Sequence, residues 1–152
     1  MNDCLRILDK ERFAVKLFIA ELRFERFVVK LRFGIIGCGM ITQIQHIPNI
    51  WELPDAEIVA VCDIQEDLAK RIAKRYEIPN VYIDYRSLIA REDVDAVLIA
   101  LPSQYNAPIA IDTLKARKPL LLEKPISVTV KDAEKIVKAA MENNTILQIA
   151  YN

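Results

Sequence analysis

An apolar run that breaks into a glycine turn, FGIIGCGMIT at residues 33–42, constrains the fold more tightly than anything else in the sequence. Gly37, Gly39 and Thr42 occupy the three positions of a G-x-G-x-x-G fingerprint. Asp63 follows 21 residues after Thr42, at the end of a second apolar run, AEIVAVCD. A dinucleotide site needs this layout for physical reasons. The first glycine permits the tight turn, and the second lets backbone N–H groups approach a pyrophosphate. The helix that follows offers the positive end of its dipole to the phosphates, and the later carboxylate accepts hydrogen bonds from ribose hydroxyls. Met40 and Ile41 belong to the same candidate cofactor-binding turn. Thr42 departs from the fingerprint: it takes more room than the glycine that allows close helix–strand packing, so the first helix is expected slightly further out. The bland alternative is a strand–turn–helix that holds no ligand, or a different nucleotide-like one.

From Leu31 onward, strand and helix patterns alternate regularly. The apolar runs predict strands at 31–36, 57–62, 80–83, 94–100, 119–123 and 145–150, with helices near 40–50, 65–76, 85–90, 105–116 and 129–143. Most of the strands are continuous apolar stretches such as DAVLIAL and PLLLEK, which suits a parallel sheet covered on both faces. Right-handed crossovers between parallel strands then give a doubly wound α/β sheet of the Rossmann type, order 3-2-1-4-5-6, as a single domain over 31–152. Pro54, Pro79, Pro119 and Pro125 fall at predicted boundaries, where a missing N–H is tolerated. Residues 1–30 form a separate N-terminal extension. Leu8, Val15, Ile19, Leu22 and Val29 recur there at helical spacing and predict a helix over roughly 9–28. Packing on the domain, oligomer contacts and a leader segment are all compatible with it.

Ligands of such sheets bind beyond the carboxyl ends of the strands, where the strand order reverses. This rule selects the turn 37–42, Asp63, the loop from Leu101 and Pro102 to Asn106, and the segment Glu123-Lys124-Pro125. Net charge recruits neither nucleic acid nor an anionic membrane, because 21 Lys and Arg balance 21 Asp and Glu. No apolar stretch approaches the ~20 residues needed to span a bilayer. The N-terminus has none of the parts of a signal peptide, and Cys4, Cys38 and Cys62 form no C-x-x-C pair, so a reducing cytoplasm is the expected location. A single histidine, His46, and no cysteine pair give no support to a metal site.

The segments FGIIGCGMITQIQHIP, VAVCDIQEDLAKRIAKRY, DAVLIALPSQYN, LLLEKP and QIAYN, in that order, resemble the N-terminal domain of the Gfo/Idh/MocA oxidoreductases, the glucose–fructose oxidoreductase and inositol dehydrogenase family. The resemblance covers about residues 31–152, and Glu123-Lys124-Pro125 is its most diagnostic part. It implies NAD(P)-dependent oxidation or reduction of a sugar, a cyclitol or a related small molecule. It also implies that Lys124 is catalytic, beside the nicotinamide and the substrate. An ammonium there can hydrogen-bond the reacting oxygen and stabilise developing negative charge. Glu123 would position Lys124 or pair with it, and Pro125 would set the chain direction. Without the family pattern, Lys124 reads as a surface lysine pinned by a turn proline.

Asp63 is followed by Ile64 and not by arginine, so its carboxylate would repel a 2′-phosphate: the expected cofactor is NAD, with NADP disfavoured. The structural alternative is that Asp63 caps the helix beginning near Glu66. Asn106 stands where the family commonly has a histidine, and an amide carries no proton at neutral pH. His46 lies in the first helix, where the family often has one too, and is expected to make a local hydrogen bond. Family members continue into a second α/β domain with the substrate pocket and usually a catalytic histidine, whereas this chain ends at Asn152. The expectation is therefore a cofactor-binding half with an incomplete active site, prone to self-association as a homo-oligomer. A regulatory dinucleotide-binding module is an alternative. So is a methyltransferase using S-adenosylmethionine, against which Glu123-Lys124-Pro125 argues.

Overall fold

The computed structural model describes residues 15–21 and 30–151. Residues 15–21 are helical; the rest of the helix expected over 9–28 lies outside the described residues. Six strands follow: β1 (Leu31–Ile36), β2 (Ala56–Cys62), β3 (Asn80–Tyr82), β4 (Ala96–Ile99), β5 (Leu120–Glu123) and β6 (Leu147–Ala150). They form one sheet in the order β3-β2-β1-β4-β5-β6, and every pairing is parallel. This is the doubly wound order read from the sequence, with the reversal between β1 and β4.

The helices are α1 (a π-helical turn Thr42–His46 running into Ile47–Trp51), α2 (Glu66–Arg75), α3 (Tyr85–Ile89), α4 (Asn106–Lys115) and α5 (Val130–Glu142). Residue alternation divides the core between the two faces of the sheet. Phe33, Ile35, Leu98 and Leu121 pack with Ile47 and Ile50 of α1, Ala69 and Ile72 of α2, and Phe18 of the 15–21 segment. Ile36, Val97, Ile99, Leu120 and Leu122 pack with Leu88 of α3, Leu114 of α4 and Ile136 of α5. Each fully buried Leu, Ile or Phe among them contributes about 1.5–3 kcal/mol. Because both faces are covered, the strands had to be uniformly apolar, which is why they stood out in the sequence.

Helix ends follow local chemistry. The acids Glu66 and Asp67 open α2 and the bases Lys74 and Arg75 close it, complementing its dipole. The Thr129 hydroxyl caps α5 by accepting from the Asp132 N–H at 3.1 Å. Glu77, Arg117 and Asn144 take positive φ and terminate α2, α4 and α5. The N–H of the residue after each one then returns to a carbonyl five positions back, at 2.9–3.2 Å.

The first helix differs from expectation in its opening turn. Thr42 is fully buried and its hydroxyl donates to the Gly37 carbonyl at 2.7 Å. Its own carbonyl accepts from Ile47 N, a five-residue closure in place of the usual four. The helix thus widens at the residue that replaces the fingerprint's third glycine.

Candidate functional site

The carboxyl ends of β1, β2, β4 and β5 meet at one rim of the sheet. Gly37 turns the chain there with φ +97°, and its N–H donates to the Cys62 carbonyl at 2.8 Å. A Cβ on Gly37 would stand 2.3 Å from the Ala100 carbonyl oxygen and 2.9 Å from the Leu101 side chain, so the turn is keyed into the end of β4. Gly39 is the opposite case: no heavy atom lies within 4 Å of the place a Cβ would take. The first glycine serves the fold, and the second leaves open space in front of the helix. Met40 is exposed, while Ile41 is half-buried against the core.

Asp63 binds the two strand ends to each other. One carboxylate oxygen accepts the Cys38 N–H at 2.8 Å and the other accepts the Gln65 N–H at 2.9 Å. The N-cap of α2 is Gln65, not Asp63, so Asp63 braces the glycine turn and the loop before α2 instead of capping the helix itself. Below the turn, burial pushes the Cys38 and Cys62 thiols up to about 12, with the Asp63 charge adding to the effect. Both therefore behave as small neutral packing groups and not as nucleophiles.

At the end of β5, Glu123 is 6% exposed and continues the face that carries Leu121 toward α1. One of its oxygens lies 2.9 Å from His46 Nε2, and the other accepts the Lys124 backbone N–H at 2.8 Å. One expectation is corrected here, and of the two roles given to Glu123 the ion pair is not formed among the described residues. His46 does not make a local bond: its partner is 77 residues away in the chain. Glu123 holds Lys124 by the backbone, and among the described residues no ion pair to the Lys124 ammonium is formed. The Lys124 side chain is exposed, and the Lys124–Pro125 peptide is cis.

Asn106 opens α4 and is 1% exposed. Its amide donates to the Pro125 carbonyl at 3.1 Å, bracing the loop after β5, and its Oδ1 has no hydrogen-bond partner. Leu101 is half-buried, and Pro102 is exposed beside it. The segments singled out from the sequence thus converge: 37–42 on Asp63 and Leu101 by direct contact, Glu123 on α1 through His46, and Asn106 on Pro125. His46 is the member that sequence reasoning missed. The available signal was its position on the inward face of an amphipathic helix, where a buried imidazole requires a polar partner. No group of three or more His, Cys, Asp or Glu among the described residues could hold a metal ion, and no described helix is long and apolar enough to cross a membrane.

Comparison with known proteins identifies the family. The family model described as "Oxidoreductase family, NAD-binding Rossmann fold" matches residues 31–151. The myo-inositol 2-dehydrogenase of Thermotoga maritima is 30% identical over 122 residues, covering 80% of this chain and 36% of the relative. The inositol 2-dehydrogenase of Salmonella typhimurium is 34% identical over 125 residues, covering 80% and 37%. A 3-ketoreductase from Actinomadura kijaniata, crystallised with NADP and TDP-benzene, superposes with a TM-score of 0.74 at 32% identity, covering 79% of this chain and 37% of that one. The WlbA dehydrogenase of Chromobacterium violaceum, crystallised with NADH and UDP-GlcNAcA, gives 0.76 at 27% identity, covering 80% and 35%. The chain spans little more than a third of the length of these relatives. With the family match running from the first strand to the last, the chain belongs to the Gfo/Idh/MocA oxidoreductases and comprises their NAD(P)-binding Rossmann domain.

Proposed function

We propose that the rim binds NAD in preference to NADP and serves hydride transfer to or from a sugar, a cyclitol or a related small molecule. The observation that carries this reading is the pairing of Gly39 with Asp63. Open space at Gly39 fits a pyrophosphate pressed against backbone, and the nearby Asp63 carboxylate fits a ribose diol. Ile64, next to it, is 89% exposed and brings no positive charge to offset a 2′-phosphate. The relatives divide on this point, since one was crystallised with NADP and another with NADH.

When bound, the nicotinamide supplies the hydride acceptor or donor. The chain's own groups do the rest. Backbone N–H groups of the glycine turn and the N-terminal end of α1 hold the phosphates, and Asp63 orients the adenosine ribose. Lys124, with its ammonium in solvent and its backbone fixed by Glu123, hydrogen-bonds the reacting oxygen and favours the form that carries negative charge.

The only histidine in the sequence is buried against Glu123, leaving no imidazole free at the rim to take the substrate proton. We therefore read residues 31–151 as holding the cofactor, with the substrate proton taken by a group outside them. Calorimetric titration tests the first part: NAD is expected to bind at least about tenfold more tightly than NADP, a difference of about 1.4 kcal/mol. Equal or reversed affinities would remove Asp63 from the role given to it. Sustained oxidation of polyols or sugars by the purified chain would overturn the second part.

A further inference from the structure

We propose that His46 is a positioning residue for Lys124, acting through Glu123. This rests on the functional reading above and extends it to a residue in a different element.

The geometry is a three-part relay of contacts. His46 Nε2 meets one oxygen of Glu123 at 2.9 Å, and the other oxygen receives the Lys124 N–H at 2.8 Å. Both side chains are nearly enclosed, His46 at 2% exposed and Glu123 at 6%. A carboxylate so buried is costly unless its oxygens are met by donors. Here one donor comes from α1 and the other is the backbone of the residue that carries the ammonium. The pair therefore does two things. It pins the end of β5 to the helix that follows the glycine turn, so the phosphate-facing and lysine-bearing segments keep one spacing. It also gives each carboxylate oxygen a donor, and among the described residues Glu123 meets Lys124 at its backbone N–H with no ion pair to the ammonium. Asn106, through the Pro125 carbonyl, holds the other side of the same loop at 3.1 Å.

An ionised Glu123 oxygen can only accept, so the contact at 2.9 Å as proposed has a proton on His46 Nε2. His46 Nδ1 is buried without a hydrogen-bond partner. The sequence contains one histidine, which makes an imidazole nitrogen spectrum of the intact chain unambiguous. The expected spectrum has a proton on Nε2; a neutral ring protonated at Nδ1 alone would overturn the proposal, because two acceptors would then face each other.

Amide exchange on the whole chain gives the second readout. In His46→Leu the Lys124 N–H is expected to exchange about tenfold faster or more while amides of β1 and β4 keep their protection. His46→Gln places a donor close to the lost Nε2 and is expected to restore most of the protection. Unchanged Lys124 exchange in His46→Leu, or no rescue by His46→Gln, would overturn the clamp. If the leucine variant does not fold, the glutamine variant and the imidazole spectrum still decide the matter. NAD and NADP are titrated in parallel. A wild-type chain that binds neither would overturn the functional role, while the exchange data would still decide whether the contact holds Lys124.

Discussion

Alanine at each of the two turn glycines, Gly37 and Gly39, separates fold from binding. In Gly37→Ala, φ +97° puts an L-residue in a left-handed conformation, at a cost of about 1–2 kcal/mol. The new Cβ also falls 2.3 Å from the Ala100 carbonyl oxygen, which is backbone and is held in place by the Ala100 N–H bond to Ile36 at 2.9 Å. Overpacking of this kind costs about 1–3 kcal/mol, giving a total of roughly 2–5 kcal/mol. For a chain of this size, that lowers the melting temperature by roughly 4–20 °C. Gly39→Ala meets no neighbour within 4 Å and no positive φ, and the loss of unfolded-state freedom is expected to stabilise by about 0.4–1 kcal/mol. Its methyl group instead enters the space assigned to the pyrophosphate. Melting curves with and without NAD read both effects. At a hundred times its Kd, NAD is expected to add about 2.7 kcal/mol to the wild type, and most of this should vanish in Gly39→Ala. A Gly39→Ala chain that keeps the full NAD shift would refute the phosphate cradle. A Gly37→Ala chain that melts like the wild type would refute the steric argument.

Three further outcomes are expected. Asp63→Ala strands the buried Cys38 N–H and should cost about 1–3 kcal/mol even without ligand, so its melting temperature falls in apo and NAD-containing samples alike; an unchanged apo melt would deny Asp63 its bracing role. The folded chain keeps Cys38 and Cys62 protonated up to about 12, above the ordinary 9.0, so the unfolded state binds fewer protons than the folded state in that window. This contribution to stability is intact below pH 9 and declines as pH rises toward 12, which alkaline denaturation curves of a Cys38→Ala/Cys62→Ala chain should show as a shallower slope. Asp95→Asn, at the opposite end of the sheet from the rim, loosens the two contacts of 2.9 Å with the Arg32 guanidinium; partial exposure limits the loss to about 1 kcal/mol, and calorimetry should find NAD affinity unchanged.

The sheet was legible because burial on both faces forces continuous apolar strands, and parallel pairing fixes the hand of every crossover. Gly37, Gly39 and Asp63 were legible because their spacing reflects local turn geometry. The widened turn at Thr42 was not, since it depends on how a buried hydroxyl finds the Gly37 carbonyl. The contact between His46 and Glu123 escaped because it requires β1, β4 and β5 to lie side by side before 77 residues of separation become 2.9 Å. Of the two roles left open for Glu123, positioning Lys124 or pairing with its ammonium, a rule visible in the sequence itself already disfavoured the second. Consecutive side chains leave an extended chain on opposite sides, so a glutamate turned inward sends the next lysine outward.

The lock between the Gly37 turn and Ala100 also has a temporal meaning. A ribosome delivers the turn long before it delivers the strand that wedges it, and the Glu123 carboxylate later still. If the proposed rim needs both, a fluorescent nucleotide is expected to be retained on stalled chains only once β4 and β5 have left the ribosome.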